Sequence, residues 1–213
     1  MRKIIIVLLL LSFNVFPKTI NRDGELFNKT APKDSLLFSI TPQDSSGIFN
    51  SKLTKADLEK QFGEENIEEK SEWREEGTVE EKVTLLYPDS ENEIKLTWKK
   101  KGTLATIVIT QPNSQWNVNG LKIGISLAEI KEINSANFEF YGFGWDRGGL
   151  IYDWGNGILA KTLENIEVFL GLDWGKVGNK NIDKFMGDTI LLNSKEPKLK
   201  SLGIILYSIV IKY

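Results

Sequence analysis

Two stretches of this sequence, LTKADLEKQFG (Leu53 to Gly63) and ISLAEIKEINS (Ile125 to Ser135), share one helix-start pattern at a spacing of 72 residues. Each opens with a hydroxyl residue, Thr54 or Ser126, followed three positions later by an acid, Asp57 or Glu129. A hydroxyl at the N-cap accepts a bond from an orphan backbone amide, and an acid in the first turn sits at the positive end of the helix. Leu58 and Ile130 then fall on corresponding positions, and Gly63, or Asn134 with Ser135, stops each helix.

The same offset carries on past the helices. It sets Trp73 on Trp145, Gly77 on Gly149, and IKLTW (Ile94 to Trp98) on IEVFL (Ile166 to Leu170). Thr103 to Thr110 and Gly203 to Tyr213, both rich in β-branched residues, read as strands that close the two halves. The expected fold is therefore α+β: two tandem repeats, each a short capped helix followed by a small antiparallel β-sheet. Repeat 1 spans residues 47–110 and repeat 2 spans 120–213. A loop-like linker, 111–119, joins them, its Pro, Asn and Ser being turn formers.

Ahead of the repeats, MRKIIIVLLLLSFNVFPKT has a basic start and an apolar run from Ile4 to Leu11. That pattern reads as a secretory signal peptide over residues 1–18, too short to span a bilayer, followed by an extension or first strand over 19–46. The expected location is the periplasm or the exterior, with no transmembrane span beyond the signal. The chain has no Cys, so it lacks the residue a lipoprotein anchor needs.

Cysteine and histidine are both absent. Their absence removes thiol nucleophiles, disulfides, imidazole acid–base catalysis and the usual zinc, haem and iron–sulfur ligands, so no metal or cofactor is expected. Charge is uneven: Asp57 to Lys82 holds eleven acids and four bases, while Val83 to Tyr213 holds fourteen acids and fifteen bases. No basic face emerges for nucleic acid. Lys99, Lys100 and Lys101 before Gly102 read as a solvated turn.

The densest feature is FEFYGFGWDRGGLIYDWGNG, Phe138 to Gly157. As a β-hairpin turning at Arg147 and Gly148, it sets Trp145 across from Leu150, Phe143 from Tyr152, and Tyr141 from Trp154. Gly142 and Gly144 leave a smooth strip on the opposite face, open to close approach by another backbone. The aromatic ladder is either the core face under the helix of its own repeat, or a partly exposed platform for a protein or a sugar. The equivalent hairpin of the first half places Glu69 across from Lys82 and Lys70 from Glu81. It reads as a charged, solvated edge or as an acidic docking surface.

Candidate binding residues are Trp145, Tyr141, Phe143, Tyr152 and Trp154, with Asp146 and Arg147 at the tip. No catalytic residue is assigned. The enzymatic alternative is a carboxylate pair acting on carbohydrate, Asp146 with Asp153, and Asp173 is a third nominal acid. Asp153 to Gly155 and Asp173 to Gly175 also read as turns, in which Asp bonds its own backbone.

Gly120 to Gly149 resembles a motif of an uncharacterised family of exported bacterial proteins, in which a G-x-x-x-G-x-S-L start leads through a short helix to a GFGWD hairpin. GIFNSKLTKADLEKQFG (Gly47 to Gly63) looks like the matching helix of that family's first half. GDTILLNSKEPKLKSLGIILYSIVIKY is similar to its closing segment. More distantly, G-x-S-x-x-E-I and the tandem arrangement are similar to the SmpA/OmlA and β-lactamase-inhibitor-like architecture. That resemblance implies binding rather than catalysis, with another envelope protein as partner. The expected function is thus an exported, non-catalytic interaction protein of the cell envelope. The alternatives are a carbohydrate-active or glycan-binding protein, and a structural envelope protein with no exposed site.

Overall fold

In the computed structural model, which describes residues 38–41, 47–74, 77–177 and 181–213, both capped helices form where the hydroxyl–acid spacing places them. Helix α1 runs Lys55–Phe62 and helix α2 runs Leu127–Asn134. Each has a complete capping box. The Asp57 amide donates to Thr54 Oγ1 at 3.3 Å and the Thr54 amide donates to the Asp57 carboxylate at 3.1 Å. The Glu129 amide donates to Ser126 Oγ at 3.3 Å, and the Ser126 amide to the Glu129 carboxylate at 2.7 Å. Leu58 and Ile130 are fully buried beneath their helices.

The strands are β1 (Ser39–Ile40), β2 (Ile67–Arg74), β3 (Val79–Leu86), β4 (Ile94–Trp98), β5 (Leu104–Ile109), β6 (Asn117–Val118), β7 (Glu139–Tyr141), β8 (Ile151–Asp153), β9 (Ile166–Leu172), β10 (Leu191–Asn193) and β11 (Ile204–Lys212). Two further helical turns, α3 (Leu159–Thr162) and α4 (Trp174–Val177), flank β9. The chain is a mixed α+β protein in which antiparallel pairing dominates. Its main sheet has six strands in the order β2-β3-β4-β5-β11-β9, beside a three-stranded sheet β10-β7-β8 and a short parallel pair β1-β6. The main sheet is continuous across the two halves of the sequence, because β5 pairs with β11.

Alternation along the strands sets the core. Ile94 and Leu96 on β4, Ile107 and Ile109 on β5, Ile209 and Ile211 on β11, and Ile166, Val168 and Leu170 on β9 are buried on one face. Two aromatic clusters extend that core. Phe38, Phe49, Phe62, Tyr87 and Trp116 meet with ring centroids 4.9 to 6.0 Å apart. Phe138, Phe140, Phe143 and Trp154 meet at 5.3 to 6.2 Å. At the far end of the same sheet face a polar chain replaces them: Trp98 Nε1 donates to Thr84 Oγ1 at 2.7 Å, Thr84 donates to Glu69, and Lys55 of α1 lies 3.4 Å from that carboxylate.

Segment 111–119 carries a core residue: Trp116 is buried, its indole N–H donates to the Asn92 carbonyl at 2.8 Å, and β6 pairs with β1. Two expectations are corrected. The β2–β3 hairpin is shifted by two residues, with Glu69 opposite Thr84, Lys70 opposite Val83 and Ser71 opposite Lys82, because its loop is longer than a two-residue turn. The β7–β8 pairing is also different: Glu139 faces Asp153 and Phe140 faces Ile151 across a bulge. The Trp145–Leu150, Phe143–Tyr152 and Tyr141–Trp154 pairs therefore do not form.

Residues 1–18, read as a signal peptide, lie outside the described residues. So does most of 19–46, of which residues 38–41 are described and contain β1. No helix among the described residues is long and apolar enough to cross a membrane.

Removing a hydroxyl N-cap leaves an amide without its partner, so Ser126→Ala is expected to cost about 1 kcal/mol in chemical denaturation. The bonds from the Ser126 hydroxyl and amide hold Glu129 below its usual 4.5. A depressed folded-state pKa contributes stability that is present above 4.5 and lost as pH falls through the lower value. Glu129→Gln should therefore flatten the acid limb of stability against pH. An unchanged limb would place the acid sensitivity elsewhere.

Candidate functional site: an aromatic face on the small sheet

The small sheet buries one face and shows the other. Phe138 and Phe140 point inward with Leu192, while Glu139 and Tyr141 on β7, Tyr152 on β8, and Leu191 and Asn193 on β10 point outward. Leu191 pairs with Tyr141 and Asn193 with Glu139. Leu191 and Tyr152 are 53% and 43% exposed, and the Tyr141 and Tyr152 rings lie 5.2 Å apart. The bulge between Glu139 and Phe140 brings Tyr152 onto this face instead of its expected partner.

Polar groups fix the rings. Tyr152 donates its hydroxyl proton to Glu139, whose other oxygen accepts from Asn193 Nδ2 at 3.0 Å. Arg147 lies over the Tyr141 ring at 4.5 Å and donates to the Tyr141 hydroxyl at 3.3 Å. The bonds from Tyr152 and Asn193 hold the Glu139 carboxyl below its ordinary range. The same Glu139 bond pushes Tyr152 up to about 12. At neutral pH the face thus holds an ionised carboxylate and a protonated phenol, each committed to the other. Neither is poised to shuttle a proton.

The GFGWDRGG loop, Gly142 to Gly149, is fixed by backbone rather than by a two-residue turn. The Gly148 amide donates to the Trp145 carbonyl at 3.1 Å and the Leu150 amide to the Arg147 carbonyl at 3.1 Å. From beneath, segment 185–187 clamps it: the Phe143 amide donates to the Phe185 carbonyl, and the Gly187 amide to the Phe143 carbonyl, both at 2.8 Å. A Cβ on Gly142 would lie 2.5 Å from the Gly187 carbonyl oxygen, so only glycine admits this approach. Gly149, at φ 76°, would place a Cβ 1.9 Å from the Leu170 oxygen.

Trp145 leaves this loop at φ 60° with 72% of its surface exposed. A bulky residue in the left-handed region is strained by about 1–3 kcal/mol.

The seven candidate residues therefore separate. Tyr141, Tyr152 and Arg147 come together on the sheet face, and Trp145 and Asp146 are exposed on the adjoining loop. Phe143 is buried against Phe140, with centroids 6.0 Å apart. Trp154 packs half-buried on Phe138 at 5.3 Å. Leu191 and Asn193 were not foreseen, because β10 carries no periodic signal. Glu139 shares the strand face of Tyr141 by alternation in the sequence, although it was not among the candidate residues. The acids behave as turn residues: Asp153 accepts from the Gly155 amide at 2.7 Å and Asp173 from Gly175 at 3.1 Å.

Leu191 and Tyr152 of this face stand open to solvent. A depression of about 340 Å³ lies elsewhere, lined by Gly47, Asn50, Leu53, Asp57 and neighbours, none from the small sheet. Among the described residues no group of three or more carboxylates is placed to hold a metal ion. No family model, curated protein or solved structure matches this chain.

Tyr152 is expected to ionise at about 12 when followed by phenolate absorbance, and Glu139→Gln should return it toward 10.0. A Tyr152 that titrates alike in both proteins would mean the two side chains are not bonded in solution.

Proposed function

We propose that this protein is an exported, non-catalytic interaction protein whose partner is another protein of the cell envelope. Contact is made through Trp145 and the Tyr141–Tyr152–Arg147 face. The observation that carries this reading is Trp145: a large aromatic held out to water, in a conformation that costs stability, by a loop that Gly142, Gly149 and segment 185–187 lock in place. Residues that contribute little to the core and are strained are retained for what they touch. Aromatic rings and Arg supply large, rigid contact at low entropic cost, with polar edges that fix orientation.

Export rests on the basic-then-apolar start of the sequence, and the protein partner on the resemblance to exported bacterial proteins and envelope assembly factors. The tandem-repeat reading belongs with it. Both halves start with a boxed helix and a hairpin and then send two strands into the main sheet, β4 and β5 or β9 and β11, the second half adding β10 between its two. Trp73 and Trp145, 72 residues apart, are both exposed, and the glycines Gly77 and Gly149 both have positive φ. A glycan ligand is the second reading. It draws on the stacked Tyr141 and Tyr152 rings bordered by the Glu139 and Asn193 polar atoms.

The test is an affinity capture of the tagged protein from cross-linked envelope, read by mass spectrometry and repeated with Trp145→Ala. The expected result is one envelope protein recovered reproducibly and lost with Trp145→Ala, which should stay within about 0.5 kcal/mol of native stability. Trp145→Gly, freed of the positive-φ strain, should be at least as stable as the native chain and equally unable to bind. A loss of about 3–5 kcal/mol on truncating Trp145 would instead make it a core residue and overturn the reading. Capture of glycan alone would favour the second one.

A further inference from the structure

The outer edge of the six-stranded sheet is its longest unpartnered feature. Strand β2 pairs with β3 on one side, and among the described residues nothing pairs with it on the other. The opposite edge is different: β9 is continued by the Leu150–Phe169 bridge toward the small sheet. Every second residue of β2 turns its N–H and C=O away from β3, and eight residues is long for an edge left open. Edge charges ordinarily repel a second strand. Here they alternate in sign along one face: Glu68, Lys70 and Glu72.

That alternation is antisymmetric about Ser71. An antiparallel copy of β2 with Ser71 on the two-fold axis sets Lys70 opposite Glu72, a pair that occurs twice. Moving the axis one residue toward the N-terminus puts Lys70 opposite itself and Glu68 opposite Glu72. Moving it the other way puts Glu72 opposite itself. Opposite charges directly across a ladder stabilise it and like charges destabilise it, so the pattern selects the register centred on Ser71.

The groups are available for this. Ser71 is exposed, and Lys70 and Glu68 form a half-exposed pair at 3.4 Å along the strand. Glu72 is held at 2.6 Å by Lys95 from the side away from the edge. On the other face Trp73, 64% exposed, falls opposite Glu69 of the second copy and beside its Ser71, which would cover it.

We propose that β2 is a self-association edge, through which two copies of this chain join their six-stranded sheets about an axis at Ser71. The occupant is a second copy because the charge sequence is complementary to itself in that register. A basic partner would be attracted by the acids without needing Lys70 between them.

The chain's lack of cysteine makes the test direct. Directly opposed residues of an antiparallel pair have Cα atoms about 4.5–5.5 Å apart, within disulfide reach. Under mild oxidation the full chain carrying Ser71→Cys should form a covalent dimer on non-reducing gels at least ten times faster than Glu69→Cys or Trp73→Cys. Each of those two lies about 14 Å along the strand from its own copy. Glu69→Cys mixed with Trp73→Cys should cross-link to each other. In sedimentation equilibrium, Lys70→Glu and Glu72→Lys should each be monomeric and should associate when mixed. In the mixed pair the two introduced charges, opposite in sign, face each other, and the native Glu72 of one variant faces the native Lys70 of the other. Circular dichroism verifies that each variant is folded. Cross-linking of Ser71→Cys no faster than that of Glu69→Cys, or failure of the two charge variants to associate on mixing, would overturn the proposal.

Discussion

The pairing of β5 with β11 holds the molecule together. Register from Ile109 opposite Ile209 to Thr106 opposite Lys212 joins a sheet built by the first half of the sequence to one built by the second. Ile107, Ile109, Ile209 and Ile211 then form one apolar strip in a core that also takes in both aromatic clusters, and α2 packs against β11. Without that ladder, β5 and β9 would each present an unpaired edge of β-branched residues to water, and the core would open along its middle.

Sequence reading reached what local chemistry determines. Thr54 with Asp57 and Ser126 with Glu129 announced both helices, because capping is a contact within four residues. The β-branched runs at β5 and β11 announced their strands, and Gly102 and Asp153 their turns. It failed where a distant segment decides. The GFGWDRGG loop takes its shape from Phe185 and Gly187, some forty residues on, which bond Phe143 and press on Gly142. That longer loop shifts every cross-strand pair expected of the hairpin, and a bulge between Glu139 and Phe140 changes the register by one residue more. Trp116 sat in a stretch whose composition reads as loop, and Phe38, Phe49 and the Asn92 carbonyl, all distant in sequence, make it a core residue.

The candidate site shows the same division. Tyr141, Tyr152 and Arg147 were singled out as part of an aromatic cluster, and the structure gathers them, although by contacts other than those expected. Their support from Glu139, Asn193 and Leu191 depends on β10 pairing with β7, a three-residue ladder with no periodic signal in the sequence. Phe143 and Trp154, equally aromatic and equally close in sequence, belong to the interior. Composition marks such a cluster, and register decides which of its members meet solvent.

The place of β11 in the sheet has a consequence for how the chain is made. β11 is the central partner of β5, yet about 95 residues separate Ile109 from Ile204. A ribosome that has finished β2 to β5 has produced a four-stranded sheet whose inner edge stays bare until those residues have followed. Closing a loop of that length is slow, and the partial sheet cannot seal its apolar strip alone. That edge of β5 therefore has no partner until β11 has been made, and the main sheet is complete only with β11 between β5 and β9.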